Sequence, residues 1–259
     1  MKEKDPVYIA SCSFGKDSIA TILLAIENNE PLDYAVFSEV MYSNAEGISG
    51  EIPEHIEWIR EIAIPKLESL GVPVKVVRAA RDYCYYFTPG NENTKGNHVG
   101  KLKGFPLGGH CVINRDCKIK PIHDFYKSFG DRPIIQYVGI AKDEPVRLAR
   151  LKATGKRQQI SLLQKYGYTE AMAKKKAAEY GLLSPLYSTS YRGGCWFCPN
   201  CRLRTFVCFR KAHPELWAKL RELSQTPNLC SYGFKYGETF QQIEERMNAQ
   251  EAQLTLFEI

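Results

Sequence analysis

The strongest constraint on this chain is the alternation, through its first half, of extended apolar runs with segments of helical periodicity. Val7 to Ser13, Tyr34 to Val40, Val74 to Ala80 and Ile134 to Ile140 read as strands. Between them, Ile19 to Asn28, Ile52 to Leu70 and Lys118 to Phe129 read as helices, with stops at Gly71 and Gly130. Strands separated by whole helices pair in parallel, because only a crossover of that length returns the chain to the same sheet edge. The pattern predicts an α/β fold, a parallel sheet wound with helices. Ligands of such sheets lie beyond the C-terminal ends of the strands, so the Ser13 to Ser18 loop, Ser38-Glu39 and Gly139-Ile140-Ala141 are expected to share one crevice.

The 259 residues suffice for a substantial core. After Leu151 the chain reads as helical and basic, ending in a helix over Thr239 to Ala252, so the expected division is 1–152 and 153–259. From Asp82 to Gly109 no period is visible, and a long functional loop or lid is expected there. Hydrophobic residues make up 44% and charged residues 25%, and no apolar run nears the ~20 residues that span a bilayer, which argues against a membrane partner. Met1 to Asp5 lacks an apolar leader, and a cytoplasmic location is expected. The net charge of +6, with clusters such as Lys174-Lys175-Lys176, suits nucleotide phosphates or nucleic acid.

Ser13-Phe14-Gly15-Lys16-Asp17-Ser18 joins the first strand to the first helix. A tight turn of this kind builds an anion cradle: the N–H groups of the first helical turn have no intrahelical partner, and the helix dipole adds positive potential there. Asp17 also suits a helix cap, which is compatible with a ligand role.

Nine cysteines in a chain read as cytosolic point to metal or redox chemistry more than to disulfides. Cys195-Trp196-Phe197-Cys198-Pro199-Asn200-Cys201, introduced by Arg192-Gly193-Gly194, spaces three thiolates so that a tight turn converges them on one centre. Tetrahedral sulfur suits zinc or an iron–sulfur cluster alike, and a local zinc set ending at Cys208 fits the same spacing. Cys12, Cys84, Cys208 and Cys230 read mainly as core.

The loop resembles S-G-G-x-D-S, the pyrophosphate loop of the PP-loop family, with Ser13, Gly15, Asp17 and Ser18 on matching positions and Phe14 replacing the first Gly. Val138 to Arg147 resembles the G-I-R-x-x-E-S-x-x-R segment of that family's phosphoadenosine phosphosulfate (PAPS) reductase branch. Asp116 to Ile122 resembles its C-x-x-x-K-x-x-P segment, and Gly194 to Asn200 the G-C-x-x-C-P turn of phage-borne and bacterial relatives. The resemblance implies a Rossmann-like nucleotide-binding domain over 1–152 and a helical cysteine-rich C-terminal part over 153–259. It implies an adenine nucleotide, ATP or PAPS, with Mg²⁺, held by Ser13, Gly15, Lys16, Asp17, Ser18, Ser38, Glu39, Gly139 and Arg150. Lys16, Asp17, Lys118 and Arg147 are the expected catalytic residues. Cys117, or alternatively Cys111, would join Cys195, Cys198 and Cys201 around a [4Fe–4S] cluster or zinc.

The activity so implied is nucleotide α-phosphate and sulfur-transfer chemistry in nucleic-acid modification, a transferase of sulfur metabolism, with ATP favoured. The alternatives are a sulfonucleotide reductase releasing sulfite and an inactive nucleotide-binding accessory protein. The family's reductase tail, E-C-G-I/L-H, is missing from Glu251 to Ile259, which weighs against reduction. Gln253-Leu254-Thr255-Leu256-Phe257 is instead similar to the peptide by which bacterial proteins dock on the DNA sliding clamp.

Overall fold

The computed structural model describes residues 5–106, 111–151, 153–188 and 193–257, the side chains of residues 154 and 253–257 excepted. The chain runs through β1 (Val7–Ser11), α1 (Lys16–Glu27), β2 (Tyr34–Ser38), β3 (Met41–Ser43), β4 (Ile48–Ser49) and α2 (Pro53–Trp58). A π turn, Ile59–Ala63, continues α2 into α3 (Ile64–Ser69), and β5 (Val74–Val77) follows. Next come a second π turn (Asn114–Ile119), α4 (Lys120–Lys127), β6 (Ile134–Tyr137), α5 (Pro145–Leu148), β7 (Ala153–Thr154) and β8 (Arg157–Ile160). The remainder is α6 (Leu162–Lys165), α7 (Glu170–Glu179), α8 (Leu203–Ala212), α9 (Pro214–Ser224), the hairpin β9 (Gly233–Lys235) and β10 (Glu238–Thr239), and α10 (Phe240–Phe257).

The chain forms two compact units that interleave in sequence. The first comprises Met1–Glu39, Pro53–Arg78 and Ile119–Tyr187; the second comprises Val40–Ile52, Ala79–Lys118 and Ser188–Ile259. The expected break at 152/153 therefore gives way to an interleaved one.

The first unit carries a sheet of order β5-β2-β1-β6-β8-β7, in which β7 alone runs antiparallel to its neighbour. All four expected strands are present, each shorter at its C-terminal end than the apolar run implied. β8 falls where helix was expected, because Arg157-Gln158-Gln159 offers no apolar alternation; backbone pairing with β6, Ile134 opposite Arg157 to Tyr137 opposite Ile160, makes the strand. α1 is buried from Ser18 to Ala25, with β1 on one side and α6 and α7 on the other. The opposite face of the sheet packs Val7, Ile9, Val36 and Ile134 against Tyr126, Phe125 and Phe129 of the α4 region. Both π turns sit just before a helix with proline in its first turn, Pro65 and Pro121. Proline lacks the N–H for an ordinary i→i−4 bond, and a widened turn accommodates its ring.

The second unit has an aromatic core. Tyr83 stacks on Phe197 at 3.9 Å between centroids, Tyr42 lies 4.8 Å from Trp196, and Phe105, Phe206, Trp217, Phe234 and Phe240 continue the cluster. The expected loop is packed at its two ends, where Tyr83, Tyr86 and Phe87 and then Leu102 and Phe105 are buried, while residues 88–101 between them are exposed or half-buried and carry no helix or strand. Leu107 to Gly109 lie outside the described residues. The backbone of α10 continues through the Gln253–Phe257 segment. No helix among the described residues is long and apolar enough to cross a membrane.

Candidate functional site

β1 leads through buried Cys12 and exposed Ser13 into Phe14, which adopts φ 55°, the left-handed region that favours glycine. The Phe14 ring is fully buried, edge-on to Phe37 at 5.2 Å and to Trp58 at 6.5 Å, so side-chain burial holds a backbone geometry that glycine would adopt freely. Ser18 staples the turn: its Oγ accepts from Ser13 N–H at 3.2 Å and donates to the Gly15 carbonyl at 2.9 Å. Its hydroxyl is thereby committed to the loop. The Gly15 cap position of α1 has no side-chain hydrogen bond, and the N–H of Lys16 donates to the Tyr187 hydroxyl at 2.9 Å. Burial pushes the Tyr187 phenol up, with Lys16 acting the other way.

The Lys16 ammonium lies 2.8 Å from both Asp17 carboxylate oxygens and 3.5 Å from Glu170. Burial opposes the Lys16 charge, but Asp17 and Glu170 outweigh it and hold the ammonium above its usual range. Asp17 is pushed up, first by burial and then by the Glu170 and Glu144 carboxylates, against the pull of Lys16. Glu144 accepts the Ala141 N–H at 3.0 Å and pairs with Arg147, and Arg150 is exposed one turn further on.

Gly139 follows β6, beside β1, and backs directly onto the start of α1. A Cβ there would lie 2.8 Å from Asp17 C and from Ser18 N, so only glycine permits this approach. Ser38 and Glu39 end β2 on the same edge, and both are buried. Both Glu39 oxygens are engaged, by Arg60 at 2.7 Å and by Arg78 at 2.6 and 2.9 Å. These three side chains with Phe37, Ile56, Ile59, Ile64 and Val76 line a cavity of about 340 Å³.

His55, 2% exposed, has Nδ1 2.8 Å from Ser184 Oγ and stacks on Trp58. Burial pulls its imidazole down to about 4, against a hydrogen bond with the Ser13 backbone. An unfolded histidine protonates near 6.5, so below that pH the unfolded chain takes up a proton the folded one refuses. The His55 contribution is therefore complete above about pH 6.5 and is lost as pH falls toward 4, amounting to about 2 kcal/mol by pH 5. Urea unfolding at pH 7.5 and 5.0 should show that loss, and His55→Gln should shrink it; an undiminished loss in the variant would remove His55 as its source.

In the second unit, Cys198 N–H donates to the Cys195 carbonyl and Cys201 N–H to the Cys198 carbonyl, each at 3.0 Å, two consecutive tight turns after Gly193-Gly194. Trp196 pins this stretch to the β4 end through N–H to Gly50 O and Nε1 to Ser49 O, both 2.9 Å. Burial drives the Cys195 thiol well up, Glu51, Cys198 and Cys111 add to the rise, and Lys118 opposes it. Lys118 thus belongs to the cysteine neighbourhood. Tyr83, electrostatically coupled to Cys111, Cys195 and Cys84, buries a hydroxyl without a hydrogen-bond partner. Cys117 donates to Arg81 O at 3.3 Å and is pushed up to about 11, chiefly by burial, with Cys111 among its electrostatic neighbours. The Cys201 carbonyl accepts from Lys235 at 2.6 Å. Among the described residues no three His, Cys, Asp or Glu side chains stand arranged to hold a metal ion.

Sequence reasoning missed Tyr187, His55, Glu170 and the Arg60 and Arg78 partners of Glu39. Each reaches its contact through tertiary folding, and no local pattern marks it.

The sheet order, strand directions and helices on both faces define an α/β fold of the Rossmann-like class, with a helix N-terminus at the C-terminal edge of β1. No family model and no curated protein sequence matches the chain. Among solved structures, the U34-tRNA thiolase NcsA from Methanococcus maripaludis, with its [4Fe-4S] cluster, is similar over 92% of this chain and 78% of its own, at 17% sequence identity and a TM-score of 0.41.

Proposed function

We propose that the chain is an ATP-using enzyme of the PP-loop kind that activates an acceptor, on nucleic acid, for sulfur transfer. The observation supporting this reading is the start of α1 at the sheet's C-terminal edge, where the Gly15 cap residue makes no side-chain hydrogen bond, the Tyr187 hydroxyl takes the Lys16 N–H, Ser13 and Lys16 lie alongside, and Ser18 holds the loop. Lys16 exchanges its Asp17 contact for phosphate oxygens, Ser13 donates its hydroxyl, and Arg147 and Arg150 extend the positive potential along the same edge. An acceptor oxygen attacks the α-phosphorus, the bond to the β-phosphate oxygen breaks, and pyrophosphate leaves; a sulfide donor then displaces AMP. Ser38, Glu39 and the cavity beside them take the nucleoside, with Glu39 held ready by its two arginines. Asp17, whose carboxyl is crowded by Glu144 and Glu170, is the residue that would hold Mg²⁺ and gain from its charge.

Cys195, Cys198 and Cys201 with Cys117, or alternatively Cys111, are the thiols that would hold an iron–sulfur cluster or zinc; among the described residues they do not stand in a metal-holding arrangement, so binding would have to draw them together. Buried thiols resist ionisation without a cation, and the orphaned Tyr83 hydroxyl supplies a donor beside them. Such a group, when bound, supplies a site where sulfur is held for delivery.

Anaerobically purified protein incubated with ATP and Mg²⁺, and separately with PAPS, tests the reading. Release of pyrophosphate and AMP, lost in Asp17→Ala together with at least tenfold in ATP affinity, or about 1.4 kcal/mol, is expected. Sulfite from PAPS would establish a reductase instead. Tight ATP binding without product would leave a nucleotide-binding accessory protein, with Gln253 to Phe257 as its candidate clamp-docking peptide.

A further inference from the structure

A second cavity, also of about 340 Å³, opens at the other edge of the first unit's sheet, where β6 and β8 begin. Its lining is His123, Tyr126, Lys127, Gly130, Arg132, Ile134, Lys156 and Arg157, four cations with no carboxylate among them. Lys156 pairs with Asp131, and Lys127 lies 3.3 Å from Asp124. The two half-buried arginines have no carboxylate partner among the described residues. Arg132 donates to the main-chain carbonyls of Asp5 at 2.9 Å and Pro6 at 3.2 Å, and Arg157 donates to His123 Nε2 at 2.8 Å. Those contacts fix the guanidinium groups without neutralising them.

An independent feature points the same way. Tyr126, 8% exposed, lines the cavity, and its hydroxyl is buried without a hydrogen-bond partner. Burial pushes the phenol up, and the nearby Ser11 hydroxyl, which accepts from Gln136 at 2.6 Å, pulls the other way, but no hydrogen bond of full geometry joins Ser11 to the phenol. A buried hydroxyl left unmade costs about 1–3 kcal/mol, which a bound acceptor recovers. The complementary ligand is an oxyanion that takes one donated hydrogen bond and offers charge to fixed guanidinium groups. Phosphate meets both demands, and paired arginines are its characteristic partners.

We propose that this cavity is a phosphate-binding site, separate from the Ser13 to Ser18 loop, taking either a backbone phosphate of a polynucleotide or the phosphate of a small molecule. Arg132 and Arg157 hold the charge, Tyr126 donates its hydroxyl, and Lys127 and Lys156 provide the rim. The inference is independent of the nucleotide reaction proposed above, since no residue is shared.

The test is a titration at pH 7.5 with inorganic phosphate, and in parallel with a 20-nucleotide single-stranded RNA, followed by the side-chain NMR signals of His123, assigned with His123→Gln. The His123 signals should shift with phosphate, and Arg157→Ala should weaken that response at least fivefold. Tyr126→Phe is the decisive variant. Its melting temperature without phosphate should be no lower than the parent's, because removing an unsatisfied buried hydroxyl relieves its cost, while the phosphate-induced rise should fall by at least half. RNA that moves the same signals, more weakly at higher salt, identifies the polynucleotide as the source; a response to phosphate alone identifies a small molecule. His123 signals unmoved by both ligands, or a phosphate response equal in the parent, Arg157→Ala and Tyr126→Phe, would overturn the proposal. Neither arm depends on ATP turnover, so this result and the test of the nucleotide reaction are read separately.

Discussion

Phe14→Ala is expected to lower the free energy of unfolding by about 3–5 kcal/mol, the cost of emptying a fully buried aromatic site. The ring closes the space between Phe37 and Trp58 beneath the loop, so its loss removes support from the anion cradle as well as from the core. The position has a second signature. Because its φ is 55°, alanine keeps the left-handed strain whereas glycine removes it, so Phe14→Gly should be no less stable than Phe14→Ala. Elsewhere in ordered structure glycine is usually the worse of the two by about 0.5–1 kcal/mol. Urea denaturation of the three proteins gives both answers. A loss below about 1 kcal/mol in Phe14→Ala, or a clear advantage of alanine over glycine, would contradict the packing described.

Gly139→Ala is expected to leave a folded protein without the nucleotide chemistry proposed above. The added methyl meets main-chain atoms, Asp17 C and Ser18 N at 2.8 Å, and main chain at a helix start cannot swing aside as a flexible side chain would. Either β6's continuation or the start of α1 must move. Overpacking of this kind costs about 1–3 kcal/mol, and displacement of a positioning group by about 1 Å costs on the order of a hundredfold in rate. Pyrophosphate release from ATP should therefore drop about a hundredfold while far-UV circular dichroism is kept. Gly139→Ser, which adds the same Cβ, should behave alike. Parent-like turnover in both would show that the loop tolerates the displacement, or that phosphate chemistry occurs elsewhere.

The elements that lie centrally in the sheet were legible in the sequence because burial on both faces writes itself as continuous apolar runs. Val7 to Ser11 and Tyr34 to Ser38 are examples, and the turn between β1 and α1 is marked by Gly15 and its polar neighbours. β8 was illegible for the converse reason: Arg157-Gln158-Gln159 lies toward the edge and is held by backbone pairing. The interleaving of the two units was equally hidden, since it depends on where Val40–Ile52 and Ala79–Lys118 pack, which no local period records. Within the site, Ser18 and Gly139 were singled out as ligand contacts, and the structure adds structural work for both: one staples the loop and the other admits the helix. Glu39 was chosen for its place after β2, but its arginine partners stand 21 and 39 residues away in sequence. The cysteine turn was visible from its spacing. The coupling of Cys195 with Cys111 and Lys118 emerges only with the fold.

The central claim is that the Ser13 to Ser18 turn receives the phosphates of an adenine nucleotide. A crystal structure with a non-hydrolysable ATP analogue and Mg²⁺ tests it most directly. The account predicts phosphate density against the first-turn N–H groups of α1, with Lys16 drawn from Asp17 onto a phosphate oxygen. Full nucleotide density at another place, with Lys16 still paired to Asp17, would contradict it.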